Sequence, residues 1–206
     1  GDYQKAKELL ERALSIKERE YGPEHVAVAV TLHNLGNALG NLGDYHKQKE
    51  LLERASATIE RAFGKRHPLF AHVCIGLAKA HGGLQEYKSQ QKYAEIAFGI
   101  FTAAMGPNHL HVAEALHELA DSCMHLGNPS DAVPKLETSL GIIEREHGKE
   151  SIGAAKVMRS LGVAKSSLGE AEAAADMLQH ACTIFEIEFG PSHPQVKTTY
   201  SALMLV

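Results

Sequence analysis

The sequence predicts an all-α repeat protein built from antiparallel helix pairs, and three observations carry that expectation. Glycine stops recur every 42 residues: "EYG" ends at Gly22, "AFG" at Gly64, "AMG" at Gly106, "EHG" at Gly148 and "EFG" at Gly190. A second series keeps the same step, with "NLGDY" at Gly43, "GGLQEY" around Gln85, "HLGNP" at Gly127 and "SLGEA" at Gly169. Between the stops, apolar residues are spaced by three or four, without the sustained alternation of strands. A fixed period over five copies means stacked repeats rather than one globular core.

Each period holds two helical patterns. The chain opens on a second helix over 1–22, with "GDY" at Gly1 to Tyr3 standing one period before Gly43 to Tyr45. Full repeats are expected over 25–64, 67–106, 109–148 and 151–190, and 193–206 is the first helix of a further repeat. In the first full repeat, the helix from about Val26 to Leu42 places Val28, Leu32, Leu35 and Leu39 on one face. The helix from about Tyr45 to Phe63 does the same with Leu51, Leu52, Ala55 and Ile59. Gly43 is the stop between them, and Asp44 the cap of the second through its side-chain oxygen.

The columns show how pairs touch. Gly36, Ala78, Ala120 and Gly162 form a small column in the first helices, beside the large column Leu35, Leu77, Leu119, Leu161 and Leu203. Ala13, Ala55, Ala97, Ser139 and Ala181 form the small column of the second helices. Small side chains let neighbouring helices approach, and larger ones would overpack. His25, His67, His109 and His193 also recur with the period, and Ser151 takes the fifth place. Serine there is a good N-cap and a poor metal ligand, so this column reads as helix entry, with Pro68 and Pro194 at favoured first positions. In "NPSDAVPKLE", Asn128 is expected to cap a helix that Pro134 kinks or delays.

"NLGNALGNLGDYHKQKELLERA" resembles the tetratricopeptide repeat, and "RALSIKEREYGPEH" with the 42-residue period is similar to the kinesin light chain and nephrocystin-like subclass. The resemblance covers the whole chain. It implies a right-handed α-solenoid, or superhelix, whose first helices line a concave groove for peptides or partner proteins. Solenoids end in polar capping units, and this chain begins on a second helix, so a segment of a longer array is expected. The Asn34 column continues as Gly76, Glu118 and Ser160. That departs from the asparagine-based grips of such grooves, although Lys156 and Arg159 resemble half of a carboxylate clamp.

Composition narrows the function classes. The chain has 206 residues, 44% of them apolar, and a net charge of -4. That excludes disorder, and without a basic tract a nucleic-acid footprint is not expected. No apolar run approaches the roughly 20 residues of a membrane span. Three widely spaced cysteines fit a reducing, cytoplasmic setting. Cys74, Cys123 and Cys182 all fall in columns of core residues, so no nucleophile is expected. His117, Asp121 and His125 share one helix face, but the outer two lie about 12 Å apart at roughly 1.5 Å per residue, too far for one ion. No enzyme, metal or cofactor is expected.

If the first helices line a groove, its columns run Val30, His72, Glu114, Lys156, Thr198; then His33, Ile75, His117, Arg159, Ser201; then Asn37, Lys79, Asp121, Val163. Unlike the core columns these change in charge and size from copy to copy, as selective recognition requires. The candidate partner-binding residues are therefore His33, Asn37, His72, Lys79, Glu114, His117, Asp121, Lys156 and Arg159. The function expected is a non-enzymatic scaffold for a peptide or partner protein. The alternative is a structural array packed laterally within a larger assembly.

Overall fold

A computed structural model describes residues 2–206; Gly1, the first residue of the opening "GDY", lies outside the described residues. Ten helices follow one another, and no strand occurs among the described residues: α1 (Tyr3–Tyr21), α2 (Val26–Asn41), α3 (Tyr45–Phe63), α4 (Pro68–Gly83), α5 (Tyr87–Met105), α6 (Leu110–His125), α7 (Pro129–His147), α8 (Ile152–Ser167), α9 (Ala171–Phe189) and α10 (Pro194–Leu203). They form two compact units, Gly1–Pro107 and Asn108–Val206. Within each unit every helix packs on its neighbours in the chain, and first helices also meet each other, α2 with α4 and α6 with α8.

The histidine column starts the first helices. The Nδ1 atoms of His25, His67, His109 and His193 accept hydrogen bonds from the backbone N–H groups of Ala27, Leu69, His111 and Gln195 at 3.1–3.2 Å. Ser151 does the same work through Oγ, accepting from Ala154 N at 3.2 Å. These donors would otherwise be orphaned in the first turn. Three of the imidazoles also stack on the aromatic residue four positions earlier, Tyr21 on His25 at 4.9 Å, Phe63 on His67 at 4.5 Å and Phe189 on His193 at 4.3 Å.

The second helices begin less uniformly. Asp2 and Asp44 accept from Lys5 N and Lys47 N at 3.0 and 3.2 Å. Asn128 makes no side-chain cap, contrary to expectation; its carbonyl accepts the Asp131 N–H at 3.2 Å instead. Nor does Pro134 delay α7, which starts at Pro129 and runs 19 residues like α3, α5 and α9. Pro134 and Ser130 are both exposed, so water can serve the carbonyl that loses its helical donor. The turn between first and second helices needs a left-handed residue, supplied by Gly43, Gly127 and Gly169; Gln85 takes that conformation in the second copy with φ 62°.

Close approach explains the small column. Leu52 of α3 is fully buried against α2 and α4, where a Cβ on Gly36 would come within 3.0 Å of its Cγ and one on Gly76 within 2.8 Å of its Cδ1. In the second unit Leu178 of α9 presses on Gly162 of α8 in the same way. Ser139 is the polar exception in the alanine column, and its hydroxyl donates to Ala113 O at 2.8 Å. The second core gathers Leu136, Leu140, Met158, Leu161, Ile184 and Phe185.

Candidate functional site

In the first unit the candidate face is built by α2 and α4. One helical turn brings Asn37 Nδ2 to 3.0 Å from His33 Nε2. His72 is half-buried, edge-on to Phe101 at 4.9 Å, and Lys79 is exposed. Asn37 and Lys79 line a pocket of about 290 Å³ together with Asn41, Tyr45 and Gln48, over Gly40. Gln48 is buried, its Nε2 donates to Gly76 O at 3.3 Å, and its Oε1 has no partner. A side chain at position 40 would collide with that amide, since a Cβ there would lie 2.3 Å from Oε1. His33 and His72 do not line the pocket.

In the second unit the face is built by α6, α8 and α10. A pocket of about 360 Å³ has Met124, Leu136 and Val163 as its apolar part, and Asp121, His125, Arg159, Ser160 and Thr198 as its polar part. Asp121 Oδ1 lies 3.7 Å from His125 Nε2. Arg159 is half-buried, with its guanidinium 5.7 Å from the Phe185 ring centre and a hydrogen bond donated to Gln195 Oε1. Burial draws its pKa below the usual guanidinium value. His117 bridges α6 to α8, its Nε2 2.9 Å from Ser160 Oγ. Glu114 stands 3.9 Å from His111 Nδ1; burial lowers the pKa of that imidazole, and Glu114 partly offsets the effect.

Of the residues nominated from the sequence, this pocket unites Asp121 and Arg159. Lys156 is exposed outside it, and Glu114 and His117 do not line it. Ile75, placed by its column on the open face, is buried. Gln48 and Gly40 went unnoticed in the sequence. Their signal was the paired column: Gln90 and Gly82 repeat them one period on, whereas Ala132 and Met124 replace them in the next copy.

The cysteines are buried and form no disulfide, and desolvation pushes the Cys74 thiol up to about 12, far from a nucleophilic thiolate. Among the described residues no group of three or more His, Cys, Asp or Glu side chains could hold a metal ion. No described helix is long and apolar enough to cross a membrane.

Stacked antiparallel helix pairs of constant length define a repeat solenoid. Tetratricopeptide repeat profiles match residues 1–47 and 111–187, and a second such profile matches 28–69. The chain belongs to the tetratricopeptide repeat family. Among curated proteins no sequence is a significant match. Similar solved structures include a kinesin light chain protein of nearly identical TPR-like repeats from Podospora anserina, 24% identical, covering 91% of this chain and 89% of that one with a TM-score of 0.70. BtubC (BKLC) from P. vanneervenii is 20% identical over 98% of this chain and 82% of its own, with a TM-score of 0.76. YrrB, described as a TPR protein with an unusual peptide-binding site, is 14% identical over 93% and 91%, with a TM-score of 0.54. At these identities the likeness is one of fold, and the structural neighbours include kinesin light chain-like repeat proteins.

Proposed function

We propose that the chain is a non-enzymatic scaffold that seats a peptide or partner-protein segment on the face of its first helices. The observation that carries this reading is the pocket of the second unit, where an apolar part is flanked by Asp121 on α6 and Arg159 on α8. An apolar recess with a few placed polar groups suits a side chain and fixes its neighbours. The periodic columns support the same reading, because the frame stays constant while these positions change. YrrB is described with a peptide-binding site, and the similar Rap protein with Competence and Sporulation Factor bound. By analogy, this chain uses the same kind of surface. Three buried thiols suit a reducing, cytoplasmic setting.

The preferred segment carries an apolar side chain with a basic residue toward Asp121 and an acidic one toward Arg159 and Lys156. Arg159 is anchored on Phe185, so the exposed charges Asp121 and Lys156 are the ones to reverse. Binding to an array of short peptides should favour this pattern. Asp121→Lys should move the preference away from basic flanks, and Lys156→Glu should weaken acidic ones, with helicity unchanged. Higher salt should weaken the parent's binding more than that of Lys156→Glu, because screening acts on a contact the variant lacks. Peptide binding indifferent to both reversals would place recognition elsewhere and favour the laterally packed array.

A further inference from the structure

The second-helix side of the first unit carries two equivalent grooves, one period apart. The first, of about 260 Å³, lies where the turn after α1 meets α3 and is lined by Pro23, Glu24, Arg54, Ala57, Thr58 and Arg61. Ion pairs strap it: Arg54 Nη2 to Glu18 Oε1 at 2.9 Å, and Arg61 Nη1 to Glu24 Oε2 at 2.5 Å. The second lies where the turn after α3 meets α5 and is larger, about 490 Å³.

The period shows what changed. Arg54 becomes Ile96, Ala57 becomes Gly99, Thr58 becomes Ile100 and Arg61 becomes Ala103, while Glu24 becomes Arg66. Both arginine straps are gone, and the sign at the groove's mouth is inverted. Glu60, at the place of Glu18, turns instead to Lys65 at 3.3 Å. Ile96, Gly99, Ile100 and Ala103 follow the spacing of one helix face, and Glu95, Ala104 and Arg66 complete the lining. A Cβ on Gly99 would meet nothing within 4 Å.

We propose that this groove is a docking site for an amphipathic helix of a partner protein, with its apolar ridge on Ile96, Gly99, Ile100 and Ala103 and a carboxylate on Arg66. Small residues at Gly99 and Ala103 leave a furrow of one-turn spacing, which accepts the side-chain ridge of a second helix at close approach. Charge complementarity selects the occupant. Arg66 is an exposed cation at the apolar edge where the other strapped groove holds a glutamate, and its guanidinium can take a carboxylate in a bidentate pair. Glu95 favours a lysine or arginine at the helix's other flank. This site is independent of the first-helix pockets.

The test uses the whole chain and stapled helical peptides with leucines at i, i+4 and i+7, flanked by either glutamate or lysine at the position facing Arg66. Fluorescence anisotropy should show the glutamate-flanked helix bound at least tenfold tighter. Ile96→Arg with Ala103→Arg installs the residues that α3 already carries at these places, so the fold should hold, and binding should fall at least tenfold. Arg66→Glu should invert the preference between the two helices. Lys156→Glu, in the other candidate surface, should leave the affinity unchanged. The proposal is overturned if neither helix binds the parent, or if the double arginine variant binds as well. It is equally overturned if sedimentation shows a dimer of this chain that the double variant abolishes, since the occupant is then a second copy.

Discussion

His81 Nδ1 is hydrogen-bonded to the carboxylate of Glu86, five residues on, across the turn that joins α4 to α5. The imidazole is buried and stacked on Tyr93 with ring centres 5.2 Å apart, and Lys49 of α3 reaches the same carboxylate at 3.0 Å. Three helices are thereby tied at one carboxyl group. Lys165 and Glu170 make the equivalent strap two periods later, at 3.0 Å.

The hydrogen bond from Lys49, and then that from His81, hold the Glu86 carboxyl below its ordinary value. A carboxylate whose folded pKa is depressed contributes stability that is present above its unfolded pKa and lost as pH falls through the folded one. Glu86→Gln should therefore be less stable than the parent at neutral pH. The gap should close as pH falls below the ordinary carboxylate range. Urea midpoints measured across that range check this; a gap that does not vary with pH refutes it.

Gln85 stands where three other copies have glycine, in a left-handed conformation that costs a residue with a Cβ about 1 kcal/mol or more. Gln85→Gly should raise stability by roughly 1 kcal/mol, less the entropy that glycine adds to the unfolded chain. A higher urea midpoint at an unchanged slope is the expected result.

Ala120 is fully buried in the small column. Ala120→Leu should destabilise the second unit by roughly 1–3 kcal/mol through overpacking. Lys88→Ala, on an exposed face of α5, should cost under about 0.5 kcal/mol. Equal denaturation midpoints for the two variants would contradict this packing.

His67 both caps α4 and stacks on Phe63. His67→Ala should cost roughly 0.5–2 kcal/mol, whereas His67→Asn retains an acceptor and should recover most of the loss. Thermal denaturation of the two variants separates capping from stacking, because asparagine restores only the first.

The sequence by itself determined the helices and their pairing, because periodic glycines, apolar spacing and capping residues are local signals that each repeat restates. His25, His67, His109 and Ser151 could be read as helix entries for that reason. The small column was legible too, since Gly36 and Gly162 return at a fixed offset from Leu52 and Leu178. The tertiary structure alone decided which polar residues meet. Asp121 and Arg159 share a pocket while Lys156, one turn from Arg159, stays outside it, and Ile75 is buried although its column mates are not. Gln48 turns inward over Gly40 because the missing Cβ leaves room for its amide. Such placements depend on side-chain rotation and on the neighbour one repeat away, about which the spacing of residues along a single helix carries no information.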